Sequence, residues 1–153
     1  MSIKSQQQNM KTIHALVSRD LGYIYGEHES DPNGAKKIFH TKSKAFLRTL
    51  GNDLGFKEFK VTNNHGGIAV SGEITLLGMW GDGNGLYFQI NQPLQPFNAF
   101  LYREIKHIKD YRGERNQWLD CSLFANADYE RLIGTLLALR KSTEESEVTR
   151  RAA

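Results

Sequence analysis

Thiol chemistry has almost no place in this chain: among 153 residues there is one cysteine, Cys121. A single thiol closes no intramolecular disulfide and builds no thiolate metal cluster, which excludes stapled secreted scaffolds and the zinc-finger classes. Long apolar runs are missing as well, none reaching the roughly 18 residues of a membrane helix. The first residues, MSIKSQQQNMK, hold no apolar segment ending in a small-residue cleavage site. The expectation is a chain with no secretory signal, a cytoplasmic location and no membrane partner. No segment repeats at a period of roughly 20–50 residues, so solenoids and propellers are excluded. A strong charge of one sign is also lacking. The formal net charge is +3 and the pI about 9.0, an excess too small to argue by itself for nucleic acid.

What is present describes a globular protein. Apolar residues make up 39% and charged residues 24% of the chain, too hydrophobic a balance for a disordered protein and enough for one domain with a core. The bases are unevenly spread. Residues 41–66 carry Lys42, Lys44, Arg48, Lys57 and Lys60 against Asp53 and Glu58, whereas residues 67–98 carry only the acids Glu73 and Asp82. Any basic surface is therefore built from the segments that flank the middle of the chain.

Residues 1–9, with Gln6, Gln7 and Gln8, offer nothing large to bury and are expected to be disordered. The domain is expected over residues 10–141, and the charged tail, residues 142–153, is expected to fray. Met10, Ile13, Val17 and Leu21 recur at helical intervals up to Gly22. A strand at Tyr23–Tyr25 and a surface loop at Gly26–Gly34 follow. The spacing of Phe46, Leu47, Leu50 and Leu54 predicts a helix over 42–54, capped by Thr41 and ended by Gly55 in a left-handed conformation. Residues 57–62 read as a strand leading into a turn at Asn63–Gly67. Ile68, Val70, Ile74 and Leu76 then point one way while Ser71, Glu73, Thr75 and Leu77 point the other, the period of a strand. Gly72 marks a bulge or a close helix contact. The glycines of residues 81–85 turn the chain into a returning strand in which Leu86, Phe88 and Ile90 alternate with Tyr87 and Gln89. Residues 99–108 fit a strand or a helix, and aromatic-rich Phe100, Leu101 and Tyr102 favour the strand. A polar loop over 109–116, a short strand at Gln117–Leu123 and a helix capped by Asn126 complete the order. This is an α+β fold, an antiparallel four- to five-stranded meander with two helices packed on one face.

Catalytic signatures are sparse. The GDGNG stretch at residues 81–85 resembles a phosphate loop only in glycine content, since a strand rather than a helix follows it. Asp82 is its sole carboxylate, too few for calcium. His14, His28, His40, His65 and His107 show no metal-ligand spacing. Cys121 with His107 could form a nucleophile pair, but a lone thiol near a strand end reads as a small buried hydrophobe. There is no G-x-S-x-G elbow and no carboxylate pair at a telling spacing. No metal and no cofactor are expected, and a small enzyme with a fold-assembled site is the weakest functional reading.

The suggestive feature is Arg103, Lys106, Lys109, Arg112 and Arg115, interleaved with Tyr102, Tyr111 and Trp118. Cations neutralise phosphates and rings stack on bases, as in single-stranded nucleic-acid binding. The same residue types anchor protein interfaces. Against both stands a solvated surface, since Glu104, Asp110, Glu114 and Asp120 are mixed in and could pair the bases off. The expected binding residues are Arg103, Lys106, Lys109, Tyr111, Arg112, Arg115 and Trp118. The loop from Lys109 to Trp118 is expected to be the working surface, with Tyr111 and Arg112 as its sharpest probes and Trp118 open to a core role instead.

The stretch GGIAVSGEITLLGMWGDGNGLYFQINQP, followed by LYREIKHIKDYRGERNQWL, resembles small uncharacterised proteins and domains carried by phages and plasmids, over residues 36–141. The resemblance implies an accessory or anti-defence role exercised by binding, such as inhibition of a host nuclease complex. Acidic mimicry of DNA is excluded by the +3 balance. The expected partner is a host protein or nucleoprotein complex, with single-stranded nucleic acid as the alternative.

Overall fold

Turn chemistry and alternation in the middle of the chain produce the sheet seen in the computed structural model, which describes residues 3–18, 35–64, 72–92, 99–110 and 115–141. Five strands, β1 (Glu58–Asn64), β2 (Gly72–Gly81), β3 (Asn84–Gln92), β4 (Ala99–Ile105) and β5 (Gln117–Asp120), lie in sequence order and pair antiparallel throughout. Gly81 pairs with Asn84, and Gly83 adopts φ 74° between them, a conformation that costs glycine nothing. The β2–β3 register shifts between Met79 and Gly81, while Gly72, read as a bulge or a close helix contact, pairs with Gln92 at the start of the strand. Residues 99–105 form the strand favoured over the helix. Ile68 and Val70 lie outside the described residues, as do Leu21, Tyr23–Tyr25, the Gly26–Gly34 loop and the tail 142–153.

Among the described residues four helices accompany the sheet: α1 (Ile3–Val17), α2 (Ala35–Asp53), α3 (Ser122–Ala125) and α4 (Tyr129–Leu137). Helix α2 packs on β1 and β2, while α1 lies against α2, α3, α4 and β3. The α+β class stands, and α3 is the one helix among the described residues that the sequence reading lacks. No helix among the described residues is long and apolar enough to cross a membrane.

Four boundaries differ from the sequence reading. Residues 1–9 are expected to be disordered, yet α1 begins at Ile3 and buries Gln6 completely. Its Nε2 donates to the Phe46 carbonyl at 3.1 Å and to the Tyr129 hydroxyl at 3.2 Å, which pairs the amide nitrogen and helps a polar residue enter the core. Helix α2 starts at Ala35, two turns before the expected residue 42. Phe39 is fully buried and extends the stripe of Phe46, Leu47 and Leu50 backward, while the polar His40 and Ser43 hide that extension in the sequence. The last strand ends at Asp120, not Leu123: the Asp120 carboxylate accepts the Ser122 amide at 2.8 Å and turns the chain into α3. That same bond holds the Asp120 carboxyl below its ordinary pKa. The final helix is capped by Asp128, whose side chain accepts from the Arg131 amide, rather than by Asn126.

One core lies between the helices and one sheet face. Ile74, Leu76, Trp80, Leu86, Phe88, Ile90, Phe100 and Leu119 meet Met10, Ile13, Phe39, Phe46, Leu50, Phe124 and Leu132 there. Phe88 is fully buried beside Phe100 and Phe124, with ring centroids 6.3 and 6.5 Å away. Phe56 covers Gly78 so closely that an added Cβ would strike its ring, and the ring sits 4.9 Å from that of Trp80. The Trp80 indole donates to the Leu54 carbonyl at 2.8 Å. The sheet is thereby tied to the end of α2, where Gly55 adopts φ 73°.

Two stability outcomes follow from this packing. Phe88→Ala is expected to lower unfolding free energy by about 3–5 kcal/mol, the usual loss for a buried phenylalanine, measured by chemical denaturation. An unchanged midpoint would refute the strand phase. Gly78→Ala is expected to destabilise by about 1–3 kcal/mol through overpacking against Phe56. Gly134→Ala, in α4 with nothing within 4 Å of the new methyl, is expected to stabilise by about 0.4–1 kcal/mol by restricting the unfolded chain. Thermal midpoints moving the same way for both glycines would contradict the packing.

Candidate functional site

Directly paired residues in a sheet share a face, so the register assigns every side chain to the helix side or the opposite side. On the opposite side Lys60, Leu77, Tyr87 and Arg103 form one row across β1 to β4, and Glu58, Met79, Gly85 and Ile105 form the next. Trp118 stands opposite Leu101 on the same side. Leu77, Met79 and Ile105 are buried there as a second, smaller apolar cluster with Tyr87 and Ile108 at its margin.

The described members of the expected binding set differ in exposure. Arg103 is 6% exposed, a correction to its reading as a surface cation. Its guanidinium carbon lies 4.7 Å from the Tyr87 ring centroid, and its Nη2 donates to the Asp110 carbonyl at 3.0 Å. Arginine stacks well on aromatic faces because its planar cation meets the negative face of the ring. Burial, foremost, raises the Tyr87 pKa above its ordinary value, so the ring beneath Arg103 belongs to a neutral phenol. The hydroxyl donates to Gln89 Oε1 at 2.8 Å.

Lys106 and Lys109 are exposed in the turn after β4. Asp110 builds that turn: its amide donates to the His107 carbonyl at 3.0 Å, and its carboxylate accepts the Lys106 amide at 3.0 Å. Arg115 is exposed just before β5. Trp118 is 44% exposed, which removes it from the core role the sequence left open to it. Tyr111 and Arg112 lie outside the described residues. Sequence reasoning missed Tyr87 as the platform for Arg103 and Asp110 as the clamp of the turn. The second carried a signal, since an aspartate four residues after Lys106 suits a side-chain-to-backbone turn bond.

A cleft of about 480 Å³ opens beside this turn, lined among others by Lys57, Met79, Asp82, Lys106, His107 and Ile108. Its walls mix apolar side chains with charges of both signs. Among the described residues no group of three His, Cys, Asp or Glu is placed to hold a metal ion. Cys121 is buried on the helix side of the sheet, within the core that excludes His107. Comparison with protein-family models, with curated proteins and with solved structures finds no match to this chain.

Burial, and then the nearby Asp120 charge, push the Cys121 thiol up to about 11. The thiolate is the reactive form, so it is scarce in the folded protein until pH approaches that value. Iodoacetamide at pH 8 is expected to leave Cys121 unmodified in the native protein and to alkylate it once the chain is unfolded in urea. Rapid native alkylation, followed by mass spectrometry, would restore the nucleophile reading.

Proposed function

We propose that the protein acts by binding rather than by catalysis, and that its working surface is the β4–β5 end of the sheet face opposite the helices. The carrying observation is Trp118, a large indole left 44% exposed on a four-residue edge strand. Exposed Lys106, Lys109 and Arg115 stand in the segments on either side of β4 and β5. An exposed aromatic on the last strand of the sheet invites a partner, because it offers apolar area to a second surface. Trp, Tyr and Arg are the residue types on which interface energy concentrates, and Trp118, Tyr87 and Arg103 share this face.

The partner class that fits is a protein or nucleoprotein complex. The resemblance of residues 36–141 to accessory proteins of phages and plasmids supports a more specific reading, an inhibitor that occupies a host defence complex. Single-stranded nucleic acid stacked on Trp118 and neutralised by the neighbouring bases is the second reading, favoured by the pairing of an exposed indole with cations.

Trp118→Ala combined with Arg115→Ala tests the surface. Stability is expected to change by less than about 1 kcal/mol, as for other exposed positions. Affinity for a partner captured from the source cells is expected to fall at least tenfold, about 1.4 kcal/mol. Unchanged affinity in the double variant would reduce this end of the sheet to a solvated connection. Raising the salt concentration separates the two readings: a protein interface is expected to persist, whereas binding to a thymidine oligonucleotide would weaken steeply.

A further inference from the structure

Arg103 carries an inference that rests on this binding reading and names the chemical group the surface receives. The side chain is 6% exposed, and no carboxylate among the described residues lies within ion-pair distance of it. A guanidinium has five N–H donors, accepts nothing and does not deprotonate in proteins. Nη2 is committed to the Asp110 carbonyl, and the Tyr87 ring takes one face of the plane. Nη1 is buried and has no hydrogen-bond partner. A desolvated cation without an anion is among the most costly groups a fold can contain. The row Lys60, Leu77, Tyr87, Arg103 could be completed by an apolar side chain without that cost.

We infer that Arg103 is the receptor for one carboxylate of an acidic segment in a partner protein. The guanidinium is preorganised, because the Asp110 carbonyl that orients it belongs to a turn closed by two further hydrogen bonds. Little rotamer freedom is then left to lose on binding. The two N–H groups of Nη1 offer a charge-assisted contact to carboxylate oxygen, strongest where water is excluded. Burial favours a single inserted side chain over a nucleic-acid backbone, whose phosphates are met by exposed cations at regular intervals.

The test reads the arginine side-chain Nε–Hε resonances by NMR, with Arg103 identified by the signal lost in Arg103→Met. The probe is a blocked tetraglutamate peptide at ionic strength fixed with sodium chloride, with blocked tetraglutamine as the neutral control. The Arg103 signal is expected to shift saturably with tetraglutamate and not with tetraglutamine. Arg103→Lys, which keeps the charge and loses the fork, is expected to weaken the tetraglutamate affinity at least tenfold. Arg103→Met is expected to melt at or above the parent temperature, since an unpaired buried charge has been removed. A lower midpoint would make Arg103 a structural residue and overturn the proposal. So would the absence of a saturable shift, or a tighter response to inorganic phosphate or a thymidine oligonucleotide than to tetraglutamate. If Trp118→Ala loses the partner while Arg103 ignores tetraglutamate, this proposal fails and the surface stands. If Arg103 responds and Trp118→Ala loses nothing, the placement of the surface fails instead.

Discussion

Burial of β2 from both sides is the constraint on which the rest of the molecule depends. Ile74, Leu76 and Trp80 enter the core beneath the helices, while Thr75, Leu77 and Met79 are buried on the other side. A strand buried on both faces needs neighbours on both edges and cover on both faces. Strands β1 and β3 supply the edges through tight antiparallel pairing, and α2 supplies cover by packing on β1 and β2. The close seat of Phe56 over Gly78 and the Trp80 to Leu54 hydrogen bond fix where α2 ends relative to the strand that follows it. Because the strands pair in sequence order, most of these contacts are between neighbouring elements, which favours rapid assembly of the sheet.

The helices are fastened by polar groups inside an apolar setting. The Tyr129 hydroxyl receives the Gln6 amide at 3.2 Å and donates to Asp53 at 2.6 Å, so α1, the end of α2 and the start of α4 meet at one oxygen. Burial, with the Asp53 carboxylate accepting its proton, raises the Tyr129 pKa strongly. The phenol therefore stays a donor throughout the physiological range, and the network persists. Asn84 performs a comparable task at the β2–β3 turn. Its side chain donates to the Leu139 carbonyl at 3.0 Å and accepts the Lys141 amide at 2.7 Å, binding the end of the C-terminal segment to the hairpin as a strand partner would.

The meander was legible because alternation and turn glycines are local signals, and β3 shows both in Leu86, Phe88 and Ile90. The first turns of α1 and α2 were not. Each is held by a long-range contact of a polar or isolated residue, Gln6 in one and Phe39 in the other, that no local pattern reveals. The short helix α3 depends on one carboxylate, Asp120, turning the chain at its start. For the surface, sequence spacing grouped Arg103 with Lys106, Lys109, Arg115 and Trp118 as if they formed one basic stripe. Strand register divides them: Arg103 goes under the face, the lysines fall in the turn, and Trp118 emerges on the edge strand. Knowing which neighbour lies across the sheet, Tyr87 for Arg103, required the pairing itself.

Where a sequence breaks local rules inside an otherwise consistent fold, the violations concentrate at functional positions. The magnitude of each violation decides which to weigh. Gln6 Oε1 and Ser43 Oγ are also buried without a partner, but these are neutral groups whose desolvation costs about 1–3 kcal/mol. A marginally stable fold tolerates a few of them. Arg103 carries a full charge, and the cost of burying an unpaired ion exceeds that of a neutral group several-fold. The Tyr87 ring offsets part of it, since a cation over an aromatic face gains about 0.5–2 kcal/mol. The Asp110 carbonyl offsets a further part, and Nη1 is left without a hydrogen-bond partner on the same face, and toward the same end of the sheet, as the most exposed aromatic of the strands, Trp118. Two independent departures from ordinary burial, an ion beneath the surface and an indole upon it, thus meet on one side of one sheet, where a single partner could relieve both.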